Sequence, residues 1–351
     1  MFIANGGKEW IGGLYYVKNI IYTMIKKSMI TEETRVYILV KGESVSIFDT
    51  FKKYQNICII EYKNSKFNDI LIKASIKFSK KIFDVQMVRI VKNYKIDYIY
   101  PVNSFPLFFL KKQSVYWIPD FQHLHLPEMF SKKEIDFRNK SFGNIARNHL
   151  NLILSSNDAY NDYKTIYPQY LNGVNVINFE SFIEDDIENI DNEFIKRTLE
   201  KYNVPEEFVF LPNQFWKHKN HITAFKAFSY LINDKKKDIT LVCTGNTEDY
   251  RNIDHFSKLK KFISEKNISN NIRILGFISR REQLALMIAC KVVLQPSLFE
   301  GWGTVVEDAK ALNKNIIMSD ISVHYEQKND KCTIFKRDNY KELGNLIEKY
   351  F

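Results

Sequence analysis

Pro296-Ser297-Leu298-Phe299-Glu300-Gly301-Trp302-Gly303-Thr304-Val305-Val306-Glu307-Asp308-Ala309-Lys310-Ala311 is the stretch on which the reading of this chain turns. An apolar run at 292–294 leads into it as a strand. Glu300 comes first, and Gly301 and Gly303 then let backbone come close to a ligand. A helix follows, expected to be capped by the Thr304 hydroxyl. Val305, Val306, Ala309 and Leu312 give that helix an apolar face. A helix start presents unpaired N–H groups and partial positive charge, which suits a phosphate. Ionised carboxylates only accept hydrogen bonds, which suits hydroxyls. Together these point to a sugar nucleotide. An ordinary strand-to-helix junction with surface acids would carry the same residues.

The run resembles the signature of retaining glycosyltransferase family 4, in which two acids are separated by seven residues. Glu300 matches the first acid and Asp308 the second, where the family usually has Glu; Glu307 stands beside it. The resemblance implies a GT-B fold: α/β, two doubly wound Rossmann-like domains facing across a cleft. It implies that Glu300 meets the donor sugar's hydroxyls and that Asp308 or Glu307 meets the ribose. Gly301, Trp302, Gly303 and Thr304 would line the donor site.

Working outward, short apolar strands alternate with amphipathic helices, as in parallel α/β sheets. The first half has candidate strands at 2–5, 35–40, 57–62, 98–101, 114–118 and 152–155. Its candidate helices are 14–27, 68–94, 103–110 and 133–148. The second half has strands at 208–212, 240–244, 272–275, 292–295 and 315–319, and helices at 222–233, 250–266, 281–289 and 305–312. Between the halves, residues 180–193 hold seven acids and no Lys or Arg, either as a linker or as the lead-in to a helix over 192–202. The expected division is an acceptor-side domain over 1–175, an acidic linker over 176–206, a nucleotide-sugar-binding domain over 207–335 and a terminal helix over 336–351.

In the family, the loop after the second half's first strand carries Arg and, five positions later, Lys, both aimed at the donor diphosphate. Lys219 matches the Lys, and Gln214 stands at the Arg position. A Gln supplies hydrogen bonds without charge; Lys217 is a candidate for the missing cation. A diphosphate leaving group needs positive charge as its bond to the sugar breaks. A solvated basic loop is the plainer alternative. His218 and His221 lack a carboxylate or Cys partner, so they read as helix-start residues rather than metal ligands.

Gly245 and Phe277 follow two further strands, where the resemblance implies contacts with the nucleotide. Gly12 and Gly13, with Gly6 and Gly7, precede the first helix and resemble the family's glycine loop. Many relatives place His-Asp where Pro119-Asp120 stands; here the His is displaced to His123 or His125. Asp120 and His123 are therefore the candidates for orienting the acceptor hydroxyl or contacting the donor sugar, against the alternative of a loop packed by its aromatics. Lys73, Lys77, Lys80 and Lys81 lie at helical spacing, either as a solvated face or as a basic surface for an anionic leaflet.

The chain has 351 residues, 45% of them hydrophobic, and a formal net charge of +10, which favours anionic partners. Basic residues spread over both halves without an RNP-, KH- or HTH-type motif argue against nucleic acid. The cysteines, Cys58, Cys243, Cys290 and Cys332, show no CxxC spacing and read as reduced thiols of a cytoplasmic protein. The amino terminus has no signal-peptide pattern, and no stretch approaches the ~20 apolar residues of a membrane span. The resemblance implies transfer of a hexose-type sugar, with retention, from a nucleoside diphosphate sugar to a glycan or lipid-linked acceptor, in surface polysaccharide biosynthesis, without a bound metal. A non-catalytic nucleotide-sugar-binding subunit is the alternative that Gln214 leaves open.

Overall fold

A computed structural model of the chain describes residues 1–4, 6, 12–63, 65–79, 81–103, 107, 109–148 and 151–351, with only the backbone at position 43. It divides into two compact units, one of residues 1–123 and 132–180, the other of residues 124–131 and 181–351.

The first unit is built on seven parallel strands: β1 (Phe2–Ala4), β2 (Val36–Val40), β3 (Ile57–Glu61), β4 (Ile99–Val102), β5 (Ser114–Ile118), β6 (Leu152–Leu154) and β7 (Val174–Val176). Their order is β3-β2-β1-β4-β5-β6-β7. The second unit has six: β8 (Phe208–Pro212), β9 (Thr240–Thr244), β10 (Ile272–Ile274), β11 (Val292–Gln295), β12 (Ile316–Ser319) and β13 (Cys332–Phe335), in the order β10-β9-β8-β11-β12-β13. Each sheet winds one way and then the other, so each has a switch point, at β1/β4 and at β8/β11. This is the expected doubly wound architecture in both halves, and ligands bind such sheets beyond the carboxyl ends at the switch.

The strands of the second unit are apolar on both faces because helices cover both. Val209 and Leu211 of β8 join a core with Phe215, Phe225 and Phe228. The alternating Phe208 and Phe210 join another with Val242, Met287, Val306 and Met318. Each fully buried Phe contributes about 1.5–3 kcal/mol relative to exposure.

Local expectations are corrected at several points. The helix read over 68–94 is two helices, Lys66–Ser79 and Val85–Asn93. Asp84 separates them: its carboxylate accepts from the Met87 N–H at 2.8 Å and caps the second helix. The helix read over 103–110 does not form at its described residues; Leu107 pairs instead in an isolated bridge with Ile82, and residues 104–106 and 108 lie outside the described set. Gly303, not Thr304, is the N-cap of the helix Thr304–Ala311, and no side chain caps it. Helices Asn157–Ile166 and Ser322–Gln327 and strands β7 and β13 were not anticipated. Within residues 180–206, the acidic run leads into the helix Asn192–Lys201, one of its two expected readings, and holds the further short helix Glu184–Ile187.

Gly245, just beyond β9, has φ +128°, and a Cβ there would lie 2.4 Å from the Asn213 carbonyl oxygen. Gly276, beyond β10, has φ +70° but open space around the same position. Gly245→Ala is therefore expected to lower stability by well over ~1 kcal/mol, and Gly276→Ala by about 1–2 kcal/mol. Urea midpoints of the two variants measure the difference; equal shifts would contradict the close approach at Gly245.

Candidate functional site

The second unit gathers its polar side chains at the carboxyl ends of β8 and β11. Asn213 follows β8, Gln295 ends β11, and both are buried. The Asn213 Nδ2 donates to Gln295 Oε1 at 2.8 Å, and the Gln295 Nε2 donates to Glu300 Oε1 at 2.8 Å. Lys219 Nζ donates to the same Oε1 at 2.7 Å. Asn220, at φ +56°, closes the turn after Lys219 and donates from Nδ2 to the Pro296 carbonyl at 3.0 Å. The Leu298 N–H donates to the His218 carbonyl at 2.8 Å. The loops after β8 and β11 are thus stitched together, with Lys219 and Glu300 facing each other.

The Glu300 side chain is 9% exposed and that of Lys219 18%. Burial alone would raise the Glu300 pKa, but the Lys219 charge and hydrogen bonds from Lys219 and Ser297 hold it below the ordinary carboxylate value. Glu300 is therefore ionised at neutral pH.

Gln327 fixes the start of the helix Thr304–Ala311. Its Oε1 accepts from the Gly303 N–H at 3.1 Å, and its Nε2 donates to the Gly303 carbonyl at 3.0 Å and to Glu307 Oε1 at 2.8 Å. Glu307 is buried and also accepts from Lys310 Nζ. Its neighbour Asp308 is gripped by Arg280, with Nη1 at 2.6 Å from Oδ2 and Nη2 at 2.7 Å from Oδ1. Arg280 is set by a capping box, in which Ser279 and Glu282 start the helix Arg280–Ala289.

Of the residues singled out in the sequence, Glu300 and Lys219 come together. Gly301, Trp302 and Thr304 are half-buried at the same loop and helix start. Lys217 is exposed and its backbone N–H is held by Asp249 at 3.1 Å. Gly245 donates its N–H to the Gly276 carbonyl at 2.8 Å, and Phe277 beside it is 64% exposed. Asp120 and His123 belong to the other unit. Asp120 pairs with Arg138 at 3.2 Å. His123 is buried against Phe121 and Phe142, its Nε2 2.9 Å from Asn139 Oδ1. Gly12 and Gly13 begin the helix Gly12–Lys26; residues 7–11 of the glycine loop lie outside the described set.

Four members of the constellation escaped the sequence reading: Gln295, Asn213, Arg280 and Gln327. Gln295 had a signal, a polar residue closing an apolar strand. Arg280 had another, sitting inside the Ser279-x-x-Glu282 of a capping box. Gln327 had none, since its partners lie 24 and 20 residues away.

The arrangement can take a polyhydroxy ligand on an ionised carboxylate, beside a cation and a helix start that suit an anion. Residues 191–351 match the family model described as glycosyl transferases group 1. No curated protein sequence matches the chain. Among solved structures it is similar to a glycosyltransferase from Rickettsia africae ESF-5, at 18% identity and TM-score 0.70, covering 100% of this chain and 87% of that one. It is also similar to Anabaena Alr3699/HepE, solved in complex with UDP and glucose, at 16% identity and TM-score 0.64, covering 99% and 88%. WaaG, a glycosyltransferase involved in lipopolysaccharide biosynthesis, matches at 12% identity and TM-score 0.64, covering 100% and 89%. At these identities the likeness establishes a GT-B fold.

Three histidines lie buried around the site. Burial, then the Lys219 charge, lowers His218 to about 3; burial, then His255, lowers His221 to about 3. Burial lowers His324 to about 4 against the raising effect of its bond to Ser319. Between these values and the unfolded value near 6.5, the unfolded chain binds protons that the folded chain does not. Stability is therefore expected to fall as pH drops from 6.5 toward 4, by at most about 1.4 kcal/mol per pH unit for each histidine. Thermal melts from pH 7 to 4.5 test this: His324→Gln should flatten the slope, and an unchanged slope would refute the assignment.

Proposed function

With residues 191–351 matching the family model of glycosyl transferases group 1 and the whole chain folded as a GT-B protein, we propose that it transfers a hexose-type sugar from a nucleoside diphosphate sugar to a glycan or lipid-linked acceptor. The observation that carries this reading is the Lys219–Glu300 pair at the β8/β11 switch point. Glu300 accepts from the donor sugar's hydroxyls. Lys219, with the start of the helix Thr304–Ala311, stabilises the diphosphate as the anomeric bond breaks. That positive charge makes a resident metal unnecessary in this reading, and activity should survive a chelator. Transfer with retention and a role in surface polysaccharide synthesis complete the proposal; the anomer of the product, read by NMR, decides the first.

Melting-temperature shifts with UDP-, GDP-, dTDP- and CMP-sugars test the donor site. A donor at 100 times its Kd adds about 2.7 kcal/mol of stability. Lys219→Met and Glu300→Gln should erase the shift or cut turnover by about 10²–10³ while the unliganded fold persists. Wild-type turnover in both variants would refute the assignment. Binding without turnover, given acceptor, would instead identify a donor-binding subunit.

We extend the reading to the acceptor side through the helix Lys66–Ser79. Its one buried residue is Asn68, while Phe67 (70%), Ile70 (64%) and Phe78 (81%) are largely exposed. On a helical wheel these three share a face, flanked by the exposed Lys66, Lys73 and Lys77. Apolar side chains bordered by lysines suit the interface of an anionic membrane. No described helix is long and apolar enough to cross one. Sedimentation with vesicles of phosphatidylglycerol and phosphatidylcholine should capture the protein at low salt. Phe67→Ser with Phe78→Ser should abolish capture; unchanged capture would refute this face.

A further inference from the structure

Asp308 occupies the place at which the family resemblance puts the ribose contact, yet the fold does not offer it as a bare carboxylate. Both its oxygens are taken by Arg280, at 2.6 and 2.7 Å. The Asp308 side chain is 1% exposed, whereas that of Arg280 is 18% exposed. Gln283 Oε1 lies 3.3 Å from the Arg280 Nη1, and Asp186 Oδ2 lies 3.9 Å from its Nε. The guanidinium is thus held in a fixed plane over the carboxylate, and it stays charged at any working pH. A ligand approaching this end of the sheet meets the guanidinium before the acid.

The consequence is a reversal of hydrogen-bond polarity. A carboxylate can only accept from a ribose hydroxyl, whereas a guanidinium can only donate to one. Resting on the donor-site reading above, we propose that Arg280, oriented by Asp308, reads the nucleoside ribose by donating to its hydroxyl oxygens. Asp308 is then a positioning residue, and its shorter side chain suits that role: it reaches the guanidinium of a neighbouring helix rather than the ligand. Arg280 also offsets the Asp308 charge that would otherwise face the donor, leaving Asp186 as the further carboxylate beside it.

Calorimetric titration with a ribonucleoside diphosphate and the 2′-deoxy form of the same base tests the proposal. The base is chosen from the class that shifts the wild-type melting temperature. Wild type is expected to prefer the ribo form by at least about tenfold, the value of one hydrogen bond to a charged group. Arg280→Met should bind both forms equally, near the wild-type affinity for the deoxy form. Because that change strands Asp308 in the interior, Arg280→Met with Asp308→Leu is measured alongside it, and both should have lost the preference. Arg280→Lys, which keeps a donor without the fork, should retain part of it. An undiminished ribo preference in the double variant would overturn the proposal while leaving the donor site standing, as would a wild type indifferent to the 2′-hydroxyl. Failure of wild type to bind any nucleotide would overturn the donor-site reading and this proposal with it.

Discussion

The ion pair between Lys219 and Glu300 is the contact around which the second unit's carboxyl edge is arranged. Taking two charges largely out of water costs several kcal/mol each, and their attraction offsets that only with good geometry and further hydrogen bonds. Both conditions are met here. Gln295 donates to the same carboxylate oxygen, Asn213 orients Gln295, and the Asn220 side chain and the Leu298 N–H tie the two loops through main-chain carbonyls. Replacing a buried ion pair by apolar groups of similar volume is often neutral or stabilising, so such a pair is weak evidence for stability. In the proposed reading, its place at a sheet switch point is explained by ligand chemistry.

Neighbouring groups then follow. A buried polar network is tolerable only when its members are satisfied. Ser319 donates to the Ser297 carbonyl at 2.5 Å, so β12 also supports the loop that carries Glu300. The Ser319 carbonyl lies 2.9 Å from His324 Nδ1, which assigns the proton to that nitrogen, while burial keeps His324 neutral in the core. The helix Ser322–Gln327 that holds His324 also delivers Gln327 to Gly303. One short helix therefore braces both the carboxylate loop and the helix start beside it.

What was legible in the sequence is what short-range chemistry dictates. Strands β8 to β12 of the second unit are apolar runs, the first three closed by Pro212, Gly245 and Gly276, and they lie close to the expected ranges; β13 does not. Glu300 and Lys219 were found because each sits at a strand end within a recognisable local pattern. The misreadings share a cause. The 68–94 periodicity continues through residues 80–84, yet Asp84 gains more from capping than from a place inside a helix. Thr304 has the chemistry of an N-cap, but Gly303 is pinned through both its N–H and its carbonyl by Gln327, and that shifts the helix start. Arg280 and Gln327 act through pairings 20 or more residues distant, which no local spacing encodes. His123 has the chemistry of a site residue in the sequence and the surroundings of a core residue in the fold.

Charge placement gives the last step. At the first of the two positions where the family resemblance expects a cation, this chain has neutral Gln214. At the second acid, it adds a cation, Arg280, on the opposite side of the same carboxyl edge. The cationic groups of the edge are therefore redistributed, from the loop after β8 toward the helix after β10. A ligand carrying phosphates at one end and a ribose at the other would meet one cation fewer along its phosphates and a paired guanidinium beside its nucleoside. In the proposed reading, phosphate binding falls to Lys219 and the helix start, whose polarity does not depend on any side chain. That also makes Gln327, which holds that start in place, more consequential here than in a site with a second cation on the phosphates.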